Sequence, residues 1–159
     1  MTVRSAALLL HRSSPAGPEV WLGHMGGPFW ARKDDGAWSL PKGLVEEGDQ
    51  DELAAARREF AEEMGVPSPD AAYVPLGDFR TSGKVIVVFA GAAPGFDLAD
   101  VRSNTFDLEW PPHSGRTQSF PEIDAAGWFP LDVAAAKLTK GQRPILDALR
   151  EVLATGEGA

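Results

Sequence analysis

Arg58-Glu59-Phe60-Ala61-Glu62-Glu63-Met64-Gly65-Val66, approached through Trp38-Ser39-Leu40-Pro41-Lys42-Gly43-Leu44-Val45-Glu46-Glu47-Gly48, is the stretch from which the fold of this chain is read. Leu53, Ala56, Phe60 and Met64 recur at helical spacing and form one apolar stripe. The pattern predicts a helix over 50–64. Asp49 is the expected N-cap, with Glu52 three residues on as a capping-box variant. Alanines fill the middle, and Gly65 supplies a C-terminal stop.

At about 100° per residue, Glu59, Glu62 and Glu63 share one third of the helix circumference. Glu52 lies two turns earlier in nearly the same direction. Like charges three or four apart destabilise an isolated helix by roughly 0.2–0.5 kcal/mol per pair. These also sit near the C-terminal end, where the macrodipole disfavours them. A hard divalent cation such as Mg²⁺ would offset both penalties, since it takes carboxylate oxygens and keeps several waters. Taken alone, the three glutamates read more readily as a solvated acidic face, partly neutralised by Arg57 and Arg58.

The preceding segment shifts that balance. It sets two glycines, a proline and a lysine ahead of a helix start, where backbone amides face an anion. Lys42 is a candidate phosphate contact, and Gly43 lets the backbone approach a ligand closely.

Working outward, Ser5–His11 reads as a buried first strand. Ala6–Leu10 and Val20–Leu22 flank the turn-forming residues 13–18 as strand, loop and strand. The glycine- and aromatic-rich residues 26–38 read as a long functional loop. Residues 72–80 and 84–92 read as a hairpin across Thr81-Ser82-Gly83. Its second arm, Val85-Ile86-Val87-Val88-Phe89, is apolar throughout, as a strand covered on both faces should be. Residues 103–110 suggest a further strand, 113–121 a second loop and 126–129 a short strand. Residues 131–138 and 142–153 read as helices. Strands interrupted by helices point to an α/β sandwich with a mixed sheet. One domain over 1–159 is expected, with 1–4 and 155–159 frayed.

The chain is 43% hydrophobic and 24% charged, ordinary for a globular protein, and its net charge is −8. Its 15 Lys and Arg residues are dispersed, so a partner with a long nucleic-acid backbone is not expected. No run approaches the roughly 20 apolar residues of a membrane span. The absence of cysteine excludes disulfides and thiolate sites and suits a cytoplasmic location.

Residues 43–66 resemble a Nudix box. Its pattern is a glycine, five residues, a glutamate, seven residues, then Arg-Glu-apolar-x-Glu-Glu-x-Gly-apolar. Arg58 to Val66 match residue by residue. The first half runs one residue long: the leading glutamate falls on Asp49 counted forward from Gly43, and on Gln50 counted back from Arg58. The chain also resembles bacterial predicted pyrophosphohydrolases acting on nucleoside and dinucleoside polyphosphates. The likeness runs through Gly27-Pro28-Phe29-Trp30, Ser103-Asn104-Thr105-Phe106, Glu109-Trp110-Pro111-Pro112 and Lys140-Gly141-Gln142-Arg143-Pro144.

That resemblance implies a mixed sheet between helices with the box as loop–helix–loop. It implies divalent-metal-dependent cleavage of a diphosphate linkage by an activated water. Glu59, Glu62 and Glu63 would hold Mg²⁺ or Mn²⁺, joined by the Gly43 carbonyl. Arg58 would orient the glutamates, and Lys42 would meet a phosphate. Candidates for the general base are Glu59, Glu109 and Glu122. Trp30, Phe29 and Phe120 are candidates for stacking a base, and Arg32, Lys33 and Arg116 for further phosphate contacts. His113 and Ser114 lack any triad context. The lead-in favours a dinucleoside polyphosphate as the small-molecule substrate, and the oligomeric state stays open between monomer and homodimer. A competing reading is a nucleotide-sensing or protein-interaction module without turnover. A Nudix-type isomerase of isoprenyl diphosphates would call for an acid–base set classically involving cysteine, which this chain lacks.

Overall fold

A computed structural model describes residues 2–156. Strands β1 (Val3–Ser14) and β2 (Gly17–Met25) form the opening hairpin, and β3 (Trp38–Ser39) and β4 (Lys42–Leu44) are short. Helix α1 (Glu52–Met64) follows, then the hairpin β5 (Val74–Thr81) and β6 (Lys84–Ala92). After β7 (Thr105–Glu109), β8 (Thr117–Pro121) and β9 (Ile123–Pro130) come α2 (Leu131–Lys137), a 3₁₀ turn (Lys140–Gln142) and α3 (Arg143–Thr155).

The principal sheet runs β3-β2-β1-β6-β5, with β4 also on β1 and β9 also on β2. β1 is parallel to β6 and antiparallel to β2 and β4, so the sheet is mixed. Its alternate residues feed two cores. Ala6, Leu8 and Leu10 join Trp21, Ala56, Phe60 and Met64 beneath α1. Ala7 and Leu9 join Val20, Leu22, Ile145, Leu146 and Leu149 beneath α2 and α3. Leu8, Leu9 and Leu10 are fully buried, each contributing about 1.5–3 kcal/mol by removal from water. A central strand covered on both faces has no polar side, which is why Ala6–Leu10 reads as an unbroken apolar run.

Among the boundaries that differ from expectation, three are informative. α1 starts at Glu52, and its N-cap is Asp51, whose carboxylate accepts from the Ala54 N–H at 2.7 Å. Asp49 lies outside the helix because its carboxylate is used elsewhere. Residues 117–121, expected in a loop, form β8, paired with β7 in a separate ribbon from Thr105↔Pro121 to Glu109↔Thr117. Thr117, Gln118 and Ser119 are exposed, so no buried face printed a period on them. α3 begins at Arg143, with Pro144 in its first turn, where a missing N–H costs nothing. It ends at Thr155, closed by Gly156 at φ 78°. Of residues 1–4 and 155–159, expected to fray, Val3 and Arg4 instead pair with Lys84 and Val85 and Thr155 ends α3, while residue 1 and residues 157–159 lie outside the described residues.

Candidate active site

The box is built on an arginine. Arg58 Nε and Nη2 donate to the two oxygens of Asp49 at 2.8 and 3.0 Å, and Nη2 also reaches the Leu44 carbonyl at 3.0 Å. Asp49 accepts in addition from the Glu46 N–H at 2.8 Å. These bonds, the Arg58 guanidinium foremost, hold the Asp49 carboxyl at about 2. The doubled register is thereby decided: the count forward from Gly43 is the one the chain uses. The extra residue is absorbed after Asp49, in the step up to the Asp51 cap. A planar guanidinium demands a bidentate acceptor, and Asp49 meets that demand with a side chain one methylene shorter than glutamate.

Arg58 Nη1 turns toward the acidic face, donating to Glu59 at 2.8 Å and to both Glu62 oxygens at 3.3 Å. Glu59 packs so closely on Gly43 that a Cβ there would overlap its carboxylate. Glu63 accepts from the Lys42 N–H at 3.1 Å. β4 is thus stitched to α1 by Arg58, Glu59 and Glu63 together. Gly65, at φ 82°, ends the helix, donating to the Ala61 carbonyl at 2.9 Å.

Beyond α1 the chain returns to cover its last turn. The Asn104 N–H donates to the Glu62 carbonyl at 2.8 Å. The Asn104 carbonyl accepts from the Glu122 N–H at 2.9 Å, and the Glu122 carbonyl from the Gly26 N–H at 2.8 Å. Ser103 Oγ accepts from the Ile123 N–H at 3.1 Å. The Ser103-Asn104 stretch is therefore a clamp that carries Glu122 to the end of the box helix.

Glu59 and Glu63 are 9% and 8% exposed. Burial pushes the Glu63 carboxyl up to about 8; the Lys42 N–H and ammonium oppose this, while Glu122 and Glu59 add to it. Glu59 is raised chiefly by burial, with Arg58 opposing and Glu62 and Glu122 adding. Glu122 is raised by burial and by Glu62. Of these four carboxylates only Glu59 and Glu62 reach an arginine, and that arginine is already committed to Asp49. Among the described residues no three acidic or histidine side chains converge to metal-holding distance; the Arg58 guanidinium lies between Glu59 and Glu62. The donor set nonetheless fits a hard divalent ion: its ligands are carboxylate oxygens, and burial raises Glu59 and Glu63, so a bound cation would favour their ionised forms.

The other candidates are dispersed. Glu109 accepts from the His113 N–H at 3.1 Å, in the turn between β7 and β8. Phe120 packs on Phe106 with ring centroids 6.0 Å apart, and Phe106 in turn closes on Gly27. Phe29 is exposed and meets Trp110 edge-on at 5.3 Å. Trp30 is half-buried, with the Lys33 ammonium 5.3 Å above its ring. Arg32 and Arg116 are exposed. Gln142, given no role of its own in the sequence argument beyond the Lys140–Pro144 likeness and a helix start, is a buried bracket. Its Oε1 accepts from the Leu40 N–H and its Nε2 donates to Ser39 Oγ, each at 2.9 Å.

The NUDIX domain family matches residues 1–149. The chain belongs to that family. Membership makes it a pyrophosphohydrolase of the NUDIX class. Solved structures agree on the fold. An Ap4A hydrolase of C. elegans in a binary complex superposes with a TM-score of 0.66 at 21% identity, over 97% of this chain and 99% of that one. The NUDIX domain of Shewanella oneidensis NrtR, complexed with ADP ribose, gives 0.63 at 18%, over 96% and 89%. A mutT/nudix family protein of Listeria innocua gives 0.62 at 16%, over 97% and 95%. No curated protein sequence matches the chain. No helix among the described residues is long and apolar enough to cross a membrane.

Proposed function

We propose that this NUDIX protein hydrolyses a diphosphate linkage in a nucleoside or dinucleoside polyphosphate with Mg²⁺ or Mn²⁺ held at Glu59, Glu62 and Glu63. The observation that carries the reading is the gathering of the box glutamates where β4 meets α1: Glu59 against Gly43, Glu59 and Glu62 on Arg58, and Glu63 on the Lys42 N–H. Likeness to an Ap4A hydrolase structure supports the dinucleoside polyphosphate as the first substrate to try.

A bound divalent ion would neutralise charge on the phosphate oxygens and acidify water. Arg58 sets the directions of Glu59 and Glu62. Gly43 leaves room for the Glu59 carboxylate, and its carbonyl would join the glutamates as a ligand. Glu122, anchored outside the helix, or Glu59 within it, accepts the proton of the attacking water. That water forms the new P–O bond as the bridging P–O bond breaks, and the departing phosphate carries away the electron pair. Lys42 offers a cation to the phosphate chain, and the exposed Phe29 and half-buried Trp30 offer faces to a base.

The test is a panel of nucleoside triphosphates, dinucleoside polyphosphates, nucleotide sugars and diphosphoinositol compounds, each with Mg²⁺, with Mn²⁺ and with chelator, products being separated by ion exchange. Cleavage in the metal arms alone is expected, fastest on a dinucleoside polyphosphate. Metal-independent cleavage, or none anywhere, would count against the reading.

A further inference from the structure

On the far side of β4 from the glutamates lies a cleft of about 200 Å³, walled by Ser39, Lys42, Thr81, Ser82, Lys84 and Gln142 among others. β4 separates the two faces residue by residue. Gly43, opposite Ala6, faces the α1 core and Glu59, whereas Lys42, opposite Ala7, faces the α3 side. The Lys42 N–H therefore holds Glu63 while its side chain lines the cleft. Met25, also in the lining, precedes Gly26, whose N–H rests on the Glu122 carbonyl. The cleft thus adjoins the carboxylate cluster at two points.

Its chemistry is opposite to that cluster. In a chain of net charge −8, two lysines face this cleft and, among the described residues, no aspartate or glutamate lines it. Among the described residues neither lysine forms an ion pair. Hydroxyls supply most of the remaining polar lining, and no aromatic ring is present on which a base could stack. The walls are held in place. Gln142 is 3% exposed with both ends of its amide bonded. Gly141 packs against Thr81 so tightly that a Cβ would overlap its hydroxyl. Ser82 and Gly83 take φ values of 46° and 77°, the backbone of a tight hairpin turn that fixes where Lys84 leaves the chain.

We propose that this cleft is an anion subsite for a phosphoryl group on a non-aromatic carrier, with Lys84 and Lys42 as its contacts. On the hydrolase reading, on which this assignment to the substrate rests, the group is the part of the substrate beyond the scissile linkage. The anion is either a polyphosphate continuation or the phosphate of a sugar or polyol; both place the same charge between the lysines. Binding in the cleft needs neither metal nor turnover, which separates this proposal from that reading.

The experiment is calorimetric titration of inorganic pyrophosphate, and separately of ribose 5-phosphate, into chelator-treated protein at low salt. Wild type, Lys84→Ala, Lys84→Arg and Glu62→Gln are compared. Lys84 is exposed beside a turn, so its replacement leaves the core untouched, and circular dichroism verifies this. Expected is salt-sensitive binding that weakens at least about tenfold in Lys84→Ala, the scale of one charge-assisted hydrogen bond. Lys84→Arg should recover it, and Glu62→Gln should bind like wild type. Stronger binding of pyrophosphate assigns a polyphosphate, and stronger binding of ribose 5-phosphate a sugar phosphate. Absence of binding, an unaffected Lys84→Ala, or loss in Glu62→Gln would each overturn the subsite. Binding retained by a protein that hydrolyses nothing would overturn the hydrolase reading alone.

Discussion

Arg58 and Asp49 form a two-pronged ion pair across nine residues, Nε and Nη2 of one meeting both carboxylate oxygens of the other at 2.8 and 3.0 Å. Asp49 is 7% exposed at its side chain and Arg58 26%, so the pair is sheltered and aims the remaining guanidinium nitrogen at Glu59 and Glu62. Asp49→Asn would leave one amide nitrogen pointing at a guanidinium N–H. Metal affinity and turnover should fall by roughly 10–100-fold, as for other groups that orient metal ligands. Asp49→Glu should recover less than half of the loss, since the loop is fitted to the shorter side chain. Metal titration followed by initial rates checks both.

Gly43→Ala places a methyl where the Glu59 carboxylate lies. Either Glu59 or β4 must move, and the Glu63 contact with the Lys42 N–H moves with β4. Turnover should drop at least about a hundredfold, a barrier increase of roughly 2.7 kcal/mol, while far-ultraviolet circular dichroism stays native. Wild-type kinetics in this variant would remove the close approach from the account.

Glu63 supplies a pH signature. Its folded carboxyl titrates at about 8 against an ordinary 4.5, so between those values the folded chain binds a proton that the unfolded chain releases. Its contribution to stability is therefore fully present below about 4.5 and is lost as pH rises through about 8. Chelator-treated protein should melt progressively lower from pH 5 to pH 8. Glu63→Gln should flatten that slope, and added Mg²⁺ should do the same by favouring the ionised form. Asp49 works in the other direction: depressed to about 2, it adds stability above its ordinary value that is lost as pH falls below about 4. A melting temperature in Glu63→Gln that tracks wild type across pH 5–8 would contradict the burial assignment.

Gln142→Leu tests the bracket between the 3₁₀ turn and β3. It strips the buried Leu40 N–H of its acceptor, a cost of about 1–3 kcal/mol, to be read from urea denaturation. Gln142→Glu keeps an acceptor for Leu40 but loses the bond to Ser39 Oγ, so it should fall between the two.

Residues 58–66 were legible because the helix obeys a local period and the glutamates sit on it. The mixed sheet was legible because Ala6–Leu10 and Val85–Phe89 carry the mark of burial on both faces. The α1 cap was misplaced by two residues because Asp49 and Asp51 are equally good N-cap types; only the reach of Arg58, a tertiary demand, tells them apart. β8 left no trace in Thr117-Gln118-Ser119 because a solvated ribbon needs no apolar alternation. Glu122 was one of three candidate bases, and the Asn104 clamp that places it is invisible until residues 62, 104 and 122 meet. Gln142 pairs with a residue 102 positions away, beyond the reach of any window.

The central claim is that the acidic face of α1 carries the hydrolysis. The most direct measurement is single-turnover cleavage of a dinucleoside polyphosphate at saturating Mg²⁺ by wild type and by Glu62→Gln. Glu62 is half-buried, the least buried of the trio, and belongs to neither hydrophobic core, so the substitution should leave the fold intact. The account predicts a rate at least about a hundredfold lower in the variant, with substrate binding nearly unchanged. Equal rates in the two proteins would mean that the carboxylate cluster is a feature of the fold and that the chemistry lies elsewhere.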